Sequence, residues 1–151
     1  MARDLSTCIE IEAPPERVWA VLVDLPSYAQ WNPFIVAADG VAEEGQRLTL
    51  RMAVGGRTHT VRPTVTARED GRLLRWRGRL AVRGVFDGDH RHELEATRRG
   101  TRYVHRERLT GLLVPFVGTL LADTQAAFEA MDRALKAHVE RSVGLSVSAA
   151  R

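Results

Sequence analysis

The sequence predicts an α+β fold: a seven-stranded antiparallel sheet curved around a long C-terminal helix, with two short helices between strands one and two. Three observations carry that reading. An alternating run from Leu5 to Ile11 gives way at Pro14-Pro15 to an amphipathic helix that breaks at Leu25-Pro26-Ser27. Six strand-like runs follow, separated by turn residues. Apolar residues then recur at helical spacing as far as Val139. A sheet followed by one long amphipathic helix must bury that helix against one of its faces, with a cavity between the two.

Each element has its own justification. Leu5, Thr7, Ile9 and Ile11 alternate as strand one, with Cys8, Glu10 and Glu12 on the other face. Pro14 and Pro15 end the strand and suit a first helical turn. Val18, Trp19, Val21 and Leu22 give that helix its apolar face. Ser27 is placed to cap a short second helix, which Pro33 stops after Trp31. Phe34 to Ala38 reads as strand two. Leu48, Leu50, Met52 and Val54 alternate with polar residues as strand three. Gly55-Gly56 is a two-residue hairpin turn into strand four, Arg57 to Ala67. Asp70-Gly71 turns into strand five, Arg72 to Leu80, with Leu74, Trp76 and Leu80 on one face. Val85 to Ala96 and Thr101 to Leu109 are the last two strands. The final helix opens at Pro115 and runs to Ser142, roughly 40 Å at 1.5 Å per residue. Val117, Leu120, Leu121, Thr124, Phe128, Met131, Leu135 and Val139 form its stripe, and His138 is a surface residue. Residues 1–143 form one domain and 144–151 a flexible tail.

Composition narrows the function. A chain of 151 residues, 44% hydrophobic and 27% charged, builds a real core. The first residues, MARDLSTC, do not read as a signal peptide, and the apolar run from Gly111 to Ala122 is too short to span a bilayer. A cytoplasmic protein is expected. Cys8 is the single cysteine and is expected to be an inert thiol. Net charge is +3, and Lys136 is the only lysine. Arg75, Arg77 and Arg79 alternate along one strand, and Arg102, Arg106 and Arg108 lie along another. No aromatics interleave with them, so a wet outer face is expected rather than a nucleic-acid platform. No Gly-rich phosphate loop, Ser-His-Asp order or Cys-x-x-Cys is present.

Strand register follows from the turns. A turn on Arg98-Arg99 sets Leu94 opposite Tyr103, His92 opposite His105 and His90 opposite Glu107, all on one face. The other face carries Arg91, Glu93, Glu95, Arg102, Arg106 and Arg108, so the histidine face is the concave one. Across Gly55-Gly56, Met52 faces His59 and Leu50 faces Val61. Across Asp70, Val65 faces Leu74 and Pro63 faces Trp76. The expected cavity lining is therefore Leu50, Met52, His59, Val61, Trp76, His92, Leu94, Tyr103, His105 and Glu107, closed by Phe128 and Met131. Trp19 is core. Trp31 packs at the entry of the short helix or gates the cavity mouth.

The segments IEAPPERVWAVLVD, YAQWNPF, GDHRHELEA, GTRYVHRERLTG and GLLVPFVG, in this order, resemble the SRPBCC superfamily of START-like, helix-grip proteins, which includes polyketide cyclase/dehydratase-like members. The resemblance covers residues 5 to 142. It implies the helix-grip fold and a cavity for an apolar ligand, on a scaffold shared by carriers, sensors and enzymes. The expected function is binding of a small hydrophobic ligand, lipid-, polyketide- or aromatic-like, with His92, His105, Glu107 and Tyr103 as polar anchor. One alternative is a cyclase, aromatase or dehydratase with His90 and Glu107 as acid and base. Another is a metal-binding or purely structural cavity, since His-x-His beside His-x-Glu also offers ligands on adjacent strands. No metal, cofactor or nucleic acid is expected, and the chain is expected as a monomer or homodimer.

Overall fold

The structure is a computed structural model that describes residues 1–79, 83–116 and 118–151. Strand β1, Ala2–Ile11, is one edge of a five-stranded antiparallel sheet in the order β1-β8-β7-β6-β5. Its other members are β5 (Thr64–Glu69), β6 (Leu73–Arg79), β7 (Asp87–Thr97) and β8 (Gly100–Thr110). A second sheet, in the order β2-β3-β4, joins Ile35–Asp39, Thr49–Val54 and Arg57–Val61. Helix α1 (Pro15–Val23), a 3-10 turn at Leu25–Ser27 and helix α2 (Tyr28–Trp31) connect β1 to β2. A 3-10 turn at Val114–Phe116 precedes helix α3, Gly118–Ala149. Among the described residues, no helix is long and apolar enough to cross a membrane.

The two sheets together have eight strands where one sheet of seven was expected. The run from Arg57 to Ala67 divides into β4 and β5, which belong to different sheets. Pro63 sits at the break, because it has no N–H to give a ladder. Its carbonyl instead accepts a hydrogen bond from the Leu48 amide at 2.8 Å. The β5–β6 register also differs from expectation. The loop takes three residues, Asp70 to Arg72, closed by the Arg72 amide on the Glu69 carbonyl at 2.9 Å. Val65 consequently faces Trp76 rather than Leu74, with a bulge between Val65 and Ala67, and Pro63 lies outside β5.

Elsewhere the register is the expected one. Leu94 faces Tyr103, His92 faces His105, and His90 faces Glu107. Met52 faces His59 and Leu50 faces Val61. Gly55 and Gly56 have φ of 57° and 73°, the left-handed pair that a two-residue hairpin of this twist requires.

Three local expectations are corrected. Ser27 makes no side-chain cap on α2; its hydroxyl donates backwards to the Asp24 carbonyl at 2.7 Å. Pro115 lies in the 3-10 turn and not in the helix. The segment from Gly144, expected as a tail, continues α3 to Ala149 with exposed side chains. At 32 residues, α3 is roughly 48 Å long. Thr124, Phe128, Met131, Asp132, Leu135 and Val139 are its buried residues. Two residues of the expected pattern, Leu80 and Val117, lie outside the described residues. The core between sheet and helices holds Ile11, Leu22, Leu25, Tyr28, Leu48, Leu50, Leu74 and Phe128, all fully buried.

Candidate functional site

Rows of side chains across the concave face build the site. One row reads Trp76, His90, Glu107, Leu5 and the next reads Leu74, His92, His105, Thr7. A third begins with Leu94, Tyr103 and Ile9. Antiparallel pairing holds opposed Cβ atoms within side-chain contact, so the three histidines must meet. His90 stacks on Trp76 with centroids 5.0 Å apart, and His105 stacks on Phe128 at 3.9 Å.

A cavity of about 180 Å³ opens beside the first row. Phe34 comes from the bend just before the second sheet, Met52, Val54, His59 and Val61 from β3 and β4, and Pro63 from the break. Trp76, Gly78, Gly88, His90, Glu107 and Leu109 come from the main sheet, and Leu120 and Thr124 from α3. Arg79 and Phe86 complete it. The Asn32 side-chain oxygen accepts hydrogen bonds from the Phe34 and Ile35 amides at 2.9 and 2.8 Å. That turn gives the Trp31-Asn32-Pro33-Phe34 stretch its job: it aims Phe34 into the cavity wall.

The expected lining therefore divides. Met52, His59, Val61, Trp76 and Glu107 line the cavity, with His90. His59 is solvent-exposed at its rim. Leu50, Leu94, Phe128 and Met131 are buried in the core and do not reach it, and neither do His92, His105 and Tyr103. Large side chains fill the inner half of the space: Trp76, Tyr103 and Phe128 are each almost wholly buried. Trp31 does not gate the mouth; it packs edge-on to Tyr28 and stacks on His138, which is half-buried rather than on the surface.

Sequence reasoning missed Phe34, Val54, Pro63, Phe86, Leu109, Leu120 and Thr124 as lining, and Asp132 as a polar neighbour. Two signals pointed to them. Gly78 pairs with Gly88 where β6 ends and β7 begins, and strand glycines mark an open space or a close approach. Asp132 follows Phe128 by four residues, which puts a carboxylate on the apolar stripe of α3.

The polar groups behind the floor are nearly dry. His105 Nδ1 donates to Asp132 Oδ1 at 3.0 Å, and His105 Nε2 lies 2.7 Å from His90 Nε2. His92 Nδ1 and the Tyr103 hydroxyl share a hydrogen bond of 2.6 Å. His90 Nδ1 is 3.8 Å from Glu107 Oε1. Burial, then the neighbouring histidines, hold His92 and His105 well below the ordinary imidazole range, so both are neutral at pH 7. Burial raises Asp132 to about 6 and pushes Tyr103 well above the ordinary phenol value. This arrangement can clasp an apolar ring, present a polar group to it, move a proton between an imidazole and a carboxylate, or offer several imidazole nitrogens at one point.

Comparison with known proteins accords with this geometry. A family model described as polyketide cyclase/dehydrase and lipid transport matches residues 2–140. Among curated proteins, none matches the sequence. The Zhui aromatase/cyclase from Streptomyces sp. R1128 is similar in structure, at 19% identity and a TM-score of 0.79, over 95% of this chain and 96% of that one. A START superfamily protein from Mycobacterium smegmatis is 20% identical with a TM-score of 0.69, over 91% and 97% of the two chains. The di-domain aromatase/cyclase StfQ of the steffimycin biosynthetic pathway is 14% identical with a TM-score of 0.75, over 95% of this chain and 53% of that one. At these identities the likeness establishes the fold.

Proposed function

This chain belongs to the polyketide cyclase/dehydrase and lipid transport family, and from that premise we propose that it binds a small, ring-sized hydrophobic molecule against His90 and Glu107. One observation carries the reading: a mostly apolar cavity whose polar side chains include a histidine and a carboxylate side by side. Its volume selects among hydrophobic ligands. An apolar cavity of about 150 Å³ suffices for benzene, whereas drug-sized ligands occupy roughly 300–1,000 Å³. A cavity of about 180 Å³ suits one or two fused rings better than a long acyl chain. The imidazole and carboxylate would hydrogen-bond a carbonyl or a phenolic hydroxyl on that ring. The reading carries with it a cytoplasmic monomer or homodimer.

Native mass spectrometry of freshly purified protein, set beside its denatured mass, tests this. An added organic mass of ring size, or saturable binding of 2-naphthol to the bare protein, is expected. A bare chain that also fails to bind 2-naphthol at millimolar concentration would end the proposal.

A second reading has a specific observation in its favour. The 3.8 Å approach of His90 to Glu107 supports an acid/base role for the two, of the kind cyclisation or dehydration of a polyketone requires. Glu107→Gln separates the two readings. If the carboxylate moves protons, that variant keeps 2-naphthol affinity within about tenfold and loses turnover of a poly-β-ketone substrate. Unchanged turnover removes Glu107 from the chemistry.

A further inference from the structure

With its three imidazoles neutral and Glu107 ionised, the buried histidine cluster behind the floor has a proton count that protein groups alone do not close. His105 gives its Nδ1 hydrogen to Asp132, which leaves a lone pair on Nε2, 2.7 Å from His90 Nε2. If His90 fills that gap with its own hydrogen, its Nδ1 becomes a bare lone pair 3.8 Å from the Glu107 carboxylate, acceptor against acceptor. His92 spends Nδ1 on Tyr103, and its Nε2 is buried without a partner among the described residues. His90 Nδ1 is likewise unpaired there. A buried unpaired polar nitrogen is a real cost, and two lie in one cluster.

We propose that His90, His92 and His105 bind one divalent transition-metal ion, zinc by preference, through their Nε2 atoms. One ring nitrogen from each lies within 4.8 Å of the other two. A tetrahedral zinc with bonds of about 2.0–2.1 Å spaces its ligands by about 3.3 Å. That separation falls between the 2.7 Å of the closest pair and the 4.8 Å limit of the set.

The ion closes the proton count. Each Nδ1 keeps its hydrogen: His105 donates to Asp132, His92 to the Tyr103 oxygen, and His90 toward Glu107. Outer partners of this kind fix the tautomer and orientation of metal-binding histidines. The ion gives His92 Nε2 its missing partner and turns His90 Nδ1 from a bare lone pair into a donor facing the Glu107 carboxylate, 3.8 Å away. The Asp132 carboxylate on His105 and the Glu107 carboxylate beside His90 offset the charge of the ion. Three imidazoles favour zinc, copper or nickel over magnesium or calcium. Three protein ligands also leave a coordination position for water or a bound molecule, and His90 is the ligand that reaches the cavity. The proposal does not depend on what fills the cavity.

The test uses the whole chain stripped with EDTA and titrated with zinc chloride against a chromogenic chelator, with cobalt(II) as spectroscopic probe. One zinc per chain is expected, together with the intense visible absorption of four-coordinate cobalt. His92→Ala should lower zinc affinity at least 100-fold, and Asp132→Asn by about 10- to 100-fold through loss of the His105 partner. His138→Ala, outside the cluster, should leave it unchanged. If His92→Ala fails to fold, His92→Gln and the wild-type cobalt spectrum decide the matter. Wild-type protein without stoichiometric zinc, or with zinc affinity indifferent to both His92 and Asp132 substitutions, would overturn the proposal. Because 2-naphthol binding is read separately, failure here leaves the hydrophobic-ligand proposal standing.

Discussion

Gly88 is the residue at which one methyl group can report on the cavity. A Cβ there would stand 2.8 Å from Glu107 Oε1 and 3.6 Å from Leu109, so the carboxylate must move. Gly88→Ala is expected to weaken 2-naphthol binding tenfold or more while the urea midpoint moves little. Gly78, its partner across the strands, would meet only Pro63 at 3.5 Å, and Gly78→Ala should cost less affinity. Equal affinity in wild type and Gly88→Ala, measured by calorimetry, would detach Glu107 from the ligand. On the opposite face, Asp89 illustrates a charge with a structural role. Burial alone would raise its pKa, but hydrogen bonds from Arg75 and Arg77 outweigh burial and hold it at about 2. Its folded value lies below the unfolded one, so its stabilisation is full above pH of about 4 and drains away as pH falls toward 2. Asp89→Asn should cost about 1–2 kcal/mol at pH 7, and the variant should lose less stability than wild type between pH 5 and about 2. Parallel pH profiles in urea titrations would contradict this.

At the scale of elements, legibility tracked how local the determining interaction was. The β7–β8 hairpin could be read residue by residue, because the tight turn at Arg98-Arg99 fixes register and alternation fixes the face. The sequence alone therefore brings His90, His92, His105 and Glu107 together. The β5–β6 pairing was misread because a three-residue loop and a bulge, invisible in periodicity, displace it. Pro63 was visible as a letter, but its consequence, one strand parted between two sheets, depends on where β3 and β6 lie. The cavity lining was the least legible part. Whether His92 faces a cavity or a packed wall depends on the volumes of Tyr103, Phe128 and Trp76 acting together, which no single strand encodes. Helix α3 supplies that wall. Phe128, fully buried against His105, should cost about 3–5 kcal/mol on truncation to alanine. A loss below about 1 kcal/mol, with an unchanged denaturant slope, would mean that α3 does not seat as described.

At the scale of the whole molecule, one half of the sheet–helix interface is filled and the other half is open. The filled half, around Tyr103, Phe128, Met131 and the buried histidines, packs α3 against β1 and holds it to β8 through Phe128 and Asp132 on His105. The open half, between the two sheets and the first turns of α3, has room for a ring. The most direct test of ligand binding there is a nuclear Overhauser experiment on methyl-labelled protein saturated with 2-naphthol. Binding in the cavity predicts intermolecular contacts to the methyl groups of Met52, Val61, Leu109 and Leu120, which surround the open half. It predicts none to Leu50 or Met131 in the filled half, nor to exposed Leu112 or Leu145. Contacts confined to those exposed residues, or no contacts at saturation, would contradict it.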